Sequence, residues 1–428
     1  MDLLLCDARM WGAEKPVDLR VVDGRLVEIA THADADASRS VAPARASEHR
    51  DSDFPDHADR GSAPGAVGHG ARAASTYRTI DLAGALVLPG LVDAHCHLDK
   101  TLWGGPWVPN TAGNALRDKI AYVQRRRAEF GVPDAERITA LLTAMLAAGT
   151  TRVRTHTDIC PELGLDGFTA LATAVDRLEG RITVQQVAFP QFGMLTNPGT
   201  VELMDRALRT GAAQVVGGID PAGVDRDPVR HLDTVFGLAL EHDVPIDVHL
   251  HDRGTLGAWQ FESIIERTLA TGMNGRVTIG HGYALGDVDA ARRADLIAGS
   301  AEAGISLATC AAHDDPVAPL REMHVAGANL ALGNDGIRDL WSPYGDGDMM
   351  HRAHRLAERA QCYADEDIEL ALRAATFGGA TALGLTDYGL APGLRADLVA
   401  VEADTAAEAV IARASRTLVL CDGEVVAA

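Results

Sequence analysis

The chain has 428 residues, of which 39 are Lys or Arg and 60 are Asp or Glu, giving a formal charge of −21. That length accommodates a large core with a smaller appended domain, and the acidic excess repels phosphate backbones and anionic lipid, which excludes nucleic acid and membrane surfaces as partners. No basic leader opens the chain, and cysteines 6, 96, 160, 310, 362 and 421 show no paired spacing; a cytoplasmic protein with reduced thiols and no cysteine-based zinc site is expected.

Taken in order, the first thirty residues alternate apolar and polar in short pieces, Asp18–Asp23 and Gly24–Ile29, which predicts antiparallel strands joined at the Asp23-Gly24 turn. Residues 33–76 break the pattern. Their only large apolar side chains are Val41, Phe54 and Val67, too few to offset the entropy of ordering, so this stretch is expected to be a disordered insertion whose His49, His57 and His69 carry no role.

From residue 86 to 385 an apolar run ending at His97 is followed by runs at 151–159, 182–190, 214–220, 244–250, 276–282, 305–310 and 328–334. These alternate with amphipathic stretches such as 135–148 and 287–303. Eight such repeats predict an α/β fold, a (β/α)8 TIM-like barrel with its active site at the C-terminal strand ends. Strands at 397–401 and 417–427, with a turn at Asp422-Gly423, are expected to join the N-terminal strands. The expected division is a small β-sandwich from 1–85 and 386–428 and a catalytic barrel from 86–385.

Polar residues gather at the predicted strand ends. His95 and His97, two apart, point to one side of an extended strand. Strand five ends in Asp247-Val-His249-Leu-His251-Asp252, strand six in Gly-His281-Gly, and strand eight in Gly-Asn-Asp335. Singly, a histidine at a strand end is most often a hydrogen-bonded structural residue. Four strand ends delivering imidazole or carboxylate to one barrel rim point instead to a divalent metal, Zn2+ or Fe2+, with an open position for water. His156 and Asp158 at the end of strand two share one side and are candidates to orient ligands or substrate. Cys96, between two candidate ligands, faces away into the core. Trp103, Trp107 and Trp341 are candidates to wall a planar ring.

The segments His95-Cys-His97-Leu-Asp-Lys100, Phe189-Pro-Gln191, Asp247-Val-His249, His281, and Asp335 followed by Asp339-Leu-Trp341-Ser-Pro343 together resemble the amidohydrolase superfamily, and within it the cytosine deaminase-like branch. The resemblance implies a barrel flanked by a small β-sandwich, one divalent ion held by His95, His97, His249 and Asp335, and proton transfer by His281 with Asp335. It also implies substrate contacts from Lys100 and Gln191, while Trp341 and His156 are candidates to contact the substrate by their positions alone. Two-metal branches carry a bridging lysine on strand four; here that strand reads Val215-Val-Gly-Gly-Ile-Asp220, so a single ion is expected.

One departure bears on mechanism. Cytosine deaminases place a glutamate three residues after the strand-five ligand, whereas this chain has Asp252, and His251 shares the inward face with His249. Both remain candidates for the acid beside the substrate ring. This stretch and residues 339–349 are more similar to the aminotriazine hydrolases of the branch. The expected function is hydrolytic deamination, or displacement of an amine, on a pyrimidine or aminotriazine such as cytosine or an N-substituted ammelide. Hydrolysis of a cyclic amide is the alternative within the superfamily, and a non-catalytic metal-bearing scaffold the alternative outside enzymes. A small heterocyclic substrate is the expected partner, and a homo-oligomer is expected from the resemblance alone.

Overall fold

The computed structural model describes residues 2–32, 77–111, 113, 115–312 and 314–427. The expected insertion at 33–76, with its three histidines, lies outside the described residues. The chain opens with β1 (Leu3–Met10), β2 (Val17–Val22) and β3 (Arg25–Thr31), paired antiparallel in sequence order; β4 (Arg78–Asp81) and β5 (Leu86–Pro89) then lie parallel to β1. A second sheet is the (β/α)8 barrel. Its strands, each bonded in parallel to the next, are β6 (Leu91–Cys96), β7 (Thr150–Asp158), β8 (Thr183–Phe189), β9 (Val215–Ile219), β10 (Ile246–Leu250), β11 (Val277–His281), β12 (Ser306–Thr309) and β13 (Asn329–Leu332). The chain finally returns to the first sheet through β14 (Leu398–Val401), β15 (Arg416–Cys421) and β16 (Glu424–Ala427), with β14 antiparallel to β5.

The helices that cover the barrel begin where short polar residues offer an oxygen to unpaired backbone N–H groups. Asp134 accepts from Glu136 and Arg137 ahead of helix 135–147, Asp227 from Arg230 ahead of helix 228–242, and Asp289 from Arg292 ahead of helix 290–302. Their apolar faces pack on the strands in one large core that includes Leu232, Val235, Ile264, Leu296 and Ile297. The small sheet has a core of its own, in which Leu3, Leu19 and Leu26 meet Leu398, Leu418 and Leu420. Its two hairpin turns fall at Asp23-Gly24 and Asp422-Gly423, all four residues at positive φ, the geometry that matches strand twist in a two-residue loop.

The barrel closes where β13 runs past its end to meet β6. Asp335 N donates to His95 O at 2.8 Å, and Cys96 bridges Asp335 in parallel. A Cβ added at Gly333 would lie 2.7 Å from His95 N, so only glycine lets the two strands approach this closely.

Behind the rim, the loops after β8 and β9 are tied by Asp225. Its carboxylate accepts from the N–H groups of Met194, Leu195 and Thr196 and from the Thr196 hydroxyl, and lies 2.7 Å from His231 Nδ1. Burial would raise the Asp225 pKa, but His231 and these donors outweigh it and hold the carboxyl below its usual value. A carboxylate depressed in this way contributes stability above its ordinary pKa of about 3.9, and that contribution is lost as pH falls through the folded value. Asp225→Asn should therefore lower the thermal midpoint at pH 7 by about 2 °C or more, and calorimetry at decreasing pH should find the gap to wild type narrowing below pH ~4. A gap constant with pH would refute this account.

Candidate active site

The alternation of β6 sends Asp93, His95 and His97 to the barrel axis and Cys96 outward, where its Sγ lies 3.5 Å from Arg154 O in a buried apolar cluster. Asp93 stays below the rim. Its Oδ1 accepts from His95 N and Asn334 N, and its Oδ2 from Asn334 Nδ2 at 2.7 Å. One carboxylate thus ties the strand that carries His95 to the residue preceding Asp335.

At the axis, His97 Nδ1 donates to His156 O at 3.1 Å, which leaves Nε2 with its lone pair free. That Nε2 lies 3.3 Å from His249 Nε2 and 3.3 Å from Asp335 Oδ1. Both ring nitrogens of His95 and Nδ1 of His249 are buried without a hydrogen-bond partner. Orphaned buried nitrogens are costly, and here ligand atoms of His95, His97, His156 and His249 lie within 4.8 Å of one another, as do those of His95, His281 and Asp335. Converging neutral imidazoles beside a carboxylate fit a divalent ion. Burial pushes His95, His97 and His249 towards their neutral, ligating form, His97 down to about 4 with Lys100 adding to the effect. Asp335 lies well below the usual carboxylate range because the surrounding histidines outweigh burial.

His156 does not line the cavity. It lies beneath the other histidines, its ring 4.2 Å from that of His95 and 4.5 Å from that of His249, with Nε2 3.1 Å from Asp247 Oδ1. Asp247 in turn pairs with Arg154 at 3.0 Å. The guanidinium also donates to Thr278 Oγ1, Gln185 Oε1 and Ala382 O. This column runs from the barrel floor to the ligand cluster, entirely buried.

Above the cluster is a cavity of about 320 Å3 whose lining includes His97, Lys100, Gln191, His249, His251, Asp252, His281, Asp335 and Trp341. Lys100, 4% exposed, donates to Asp158 Oδ1 and Gln191 Oε1, both at 2.9 Å. Burial opposes its charge, but Asp158 and Asp99 outweigh that and raise the Lys100 pKa. Asp158 is therefore the support of Lys100. Across the cavity, His251 Nδ1 lies 2.8 Å from Asp220 Oδ2 and its backbone N donates to Asp220 Oδ1. Burial alone would lower the His251 pKa, yet the Asp220 carboxylate raises it. The His281 ring lies 4.2 Å from that of His251. Burial and that neighbour push His281 down to about 3, so His281 is held neutral while Asp220 biases His251 towards its charged form. Asp252 is turned aside, accepting from Gln260 Nε2 at 2.9 Å and Gly223 N at 3.2 Å.

Of the tryptophans, only Trp341 faces the cavity; Trp103 lies under Arg338 at 4.4 Å and Trp107 is 72% exposed. Asp220, Tyr283 and Asp315 also line the cavity and were not singled out as site residues from the sequence, while Asp339, which lines it too, was named only as part of the segment 339–343. Asp220 had a signal, since it follows β9 directly; the others stand on loops with no periodicity to place them.

A model of the amidohydrolase family matches residues 78–427. The chain belongs to that family. It is 31% identical over 358 residues to N-isopropylammelide isopropyl amidohydrolase of Pseudomonas sp. (strain ADP), covering 81% of this chain and 87% of the relative. The crystal structure of N-isopropylammelide isopropylaminohydrolase from Burkholderia multivorans superposes with a TM-score of 0.86 at 37% identity, over 100% of this chain and 98% of that one. The 5-methylcytosine deaminase of Klebsiella pneumoniae bound to phosphonocytosine gives a TM-score of 0.78 at 26% identity, over 99% and 97%. This amidohydrolase is accordingly an enzyme of carbon–nitrogen bond hydrolysis with a histidine–aspartate metal site. No described helix is long and apolar enough to cross a membrane.

Groups that support metal-bound histidines change metal affinity when removed, typically by about 10–100-fold, and Asp247 supports two candidate ligands through His156, whose ring packs on those of His95 and His249. Asp247→Asn should weaken divalent-ion binding by that factor in a chelator competition. An unchanged affinity would reduce the buried column to a purely structural element.

Proposed function

We propose that this amidohydrolase is an aminohydrolase of an oxo-bearing nitrogen heterocycle, a pyrimidine or aminotriazine, using one Zn2+ or Fe2+ ion held by His95, His97, His249 and Asp335. The observation that carries the reading is the pair of facing imidazoles, His281 neutral and His251 held towards its charged form by Asp220, which supplies a base and an acid in one cavity. A divalent ion held by these residues would supply a water whose pKa is lowered from about 15.7 towards ~7.

The remaining chemistry falls to the chain. His281 Nε2, buried and without a partner, accepts the proton of the attacking water together with Asp335. His251, its Nδ1 occupied by Asp220, presents Nε2–H to the ring nitrogen on which negative charge develops, and protonates it. Lys100 keeps a donor for a ring carbonyl beyond its bonds to Asp158 and Gln191, and the Gln191 amide reads the adjacent ring edge. Trp341 walls the ring face. Asp252, committed to Gln260 and Gly223, supports this rim and leaves the role of acid to His251.

His251→Asn should lower kcat about 100-fold with metal content unchanged; unaltered turnover would return the acid role to Asp252. His281→Asn should abolish turnover of an aminotriazine or aminopyrimidine while the purified protein keeps its metal, as read by elemental analysis. Loss of the ion in that variant would make His281 a ligand rather than a base.

A further inference from the structure

The cavity has two chemically distinct walls. Lys100, after β6, and Gln191, after β8, stand on one side; Asp252 and Arg253, after β10, Tyr283, after β11, and Asp315, in the loop after β12, stand on the other. On this second wall the side chains are fixed. Asp252 is bonded to Gln260 and Gly223, and Arg253 Nε pairs with Asp287 at 2.7 Å. The Tyr283 hydroxyl lies 3.4 Å from His281 Nδ1 with the Asp315 side chain beside it, and the Asp315 backbone carbonyl accepts from Arg359 at 2.6 Å. Among the described lining residues there is no Val, Leu, Ile, Met or Phe; the non-polar contribution is Ala312, Trp341 and glycine.

The direction of departure follows from the proton donors. If Lys100 and Gln191 hold the oxo edge of the ring, the nitrogen that leaves must take its proton from His281 or His251, and both belong to the β10–β12 side. The balance of the step is that a water oxygen–carbon bond forms, the exocyclic carbon–nitrogen bond breaks, and the proton given up by the water ends on the released nitrogen. A hydrocarbon group on that nitrogen would strip water from Asp252 and Asp315 and return no hydrogen bond. An N–H or ammonium group would satisfy them.

We infer that the nitrogen expelled in this site is ammonia or an amine carrying a second polar nitrogen, received by Asp315, Tyr283 and Asp252, and is not a simple alkylamine. This rests on the aminohydrolase reading above and adds to it the chemistry of the leaving group. The test is the metal-loaded enzyme assayed with three substrates that share a dioxotriazine ring and differ only in the exocyclic nitrogen: NH2, NH-isopropyl and NH-aminoethyl. The kcat/KM for the isopropyl compound should fall below both others by about 30-fold or more; equal or better turnover of the isopropyl compound overturns the inference. Asp315→Leu should bring the isopropyl compound at least about 10-fold closer to the others, and the isosteric Asp315→Asn should weaken the aminoethyl compound relative to NH2 by a similar factor. Ratios unchanged in both variants would remove Asp315 from the role. If none of the three is hydrolysed, the functional reading fails for this ring, and calorimetric titration of the same compounds still ranks the wall: tightest binding of the isopropyl compound overturns the inference, weakest supports it.

Discussion

The site depends on one contact of the backbone, the closure of the barrel where Asp335 N meets His95 O. His95 is the innermost candidate ligand of the first strand and Asp335 the candidate ligand of the last, so the hydrogen bond that shuts the cylinder also fixes the two at once. Asp335 adopts a positive φ to make the turn, an arrangement that costs free energy for a non-glycine residue and persists only where the surroundings over-determine it. Here they do, through Gly333 beneath it and Asn334 held by Asp93.

Around that seam the protein solves a repeated electrostatic problem, how to keep charges in a place from which water is largely excluded. Two buried cations and one half-buried imidazole have a carboxylate partner fixed by the fold: Arg154 by Asp247, Lys100 by Asp158, His251 by Asp220. Removing one member of such a pair leaves the other unsolvated, which costs more than the pair contributes. The candidate ligand histidines differ, since both ring nitrogens of His95 and Nδ1 of His249 are buried without a hydrogen-bond partner. The asymmetry concentrates ligating capacity at one point.

Much of this was legible in the sequence. The eight apolar runs match the barrel strands to within a few residues because buried parallel strands are nearly continuous in hydrophobicity, and period-two spacing correctly brings His95 and His97, and His249 and His251, onto common faces. Asp23-Gly24 and Asp422-Gly423 mark their turns because two consecutive positive φ angles leave few choices of residue. What was not legible is which polar groups become partners. That Asp220 fixes His251, or that Asp252 spends its hydrogen bonds on Gln260, depends on distances between strand ends far apart in sequence. His156 and Asp158 read as equivalent neighbours on one face, yet one lies under the histidine cluster and the other carries Lys100.

No described residue of the small sheet lines the cavity, but the sheet has a metrical function. A single residue, Gly90, separates β5, held between β1 and β14, from β6, which bears His95 and His97. Gly90 itself is clasped, its N–H donating to Asp397 O and its carbonyl accepting from Tyr388. Because side chains along a strand alternate, a shift of one residue at this joint would turn both histidines out of the barrel and Cys96 into it. The outer sheet thus serves as the datum from which the position of the reactive centre is measured, and a residue gained or lost at this joint would be read out directly as a change of ligand.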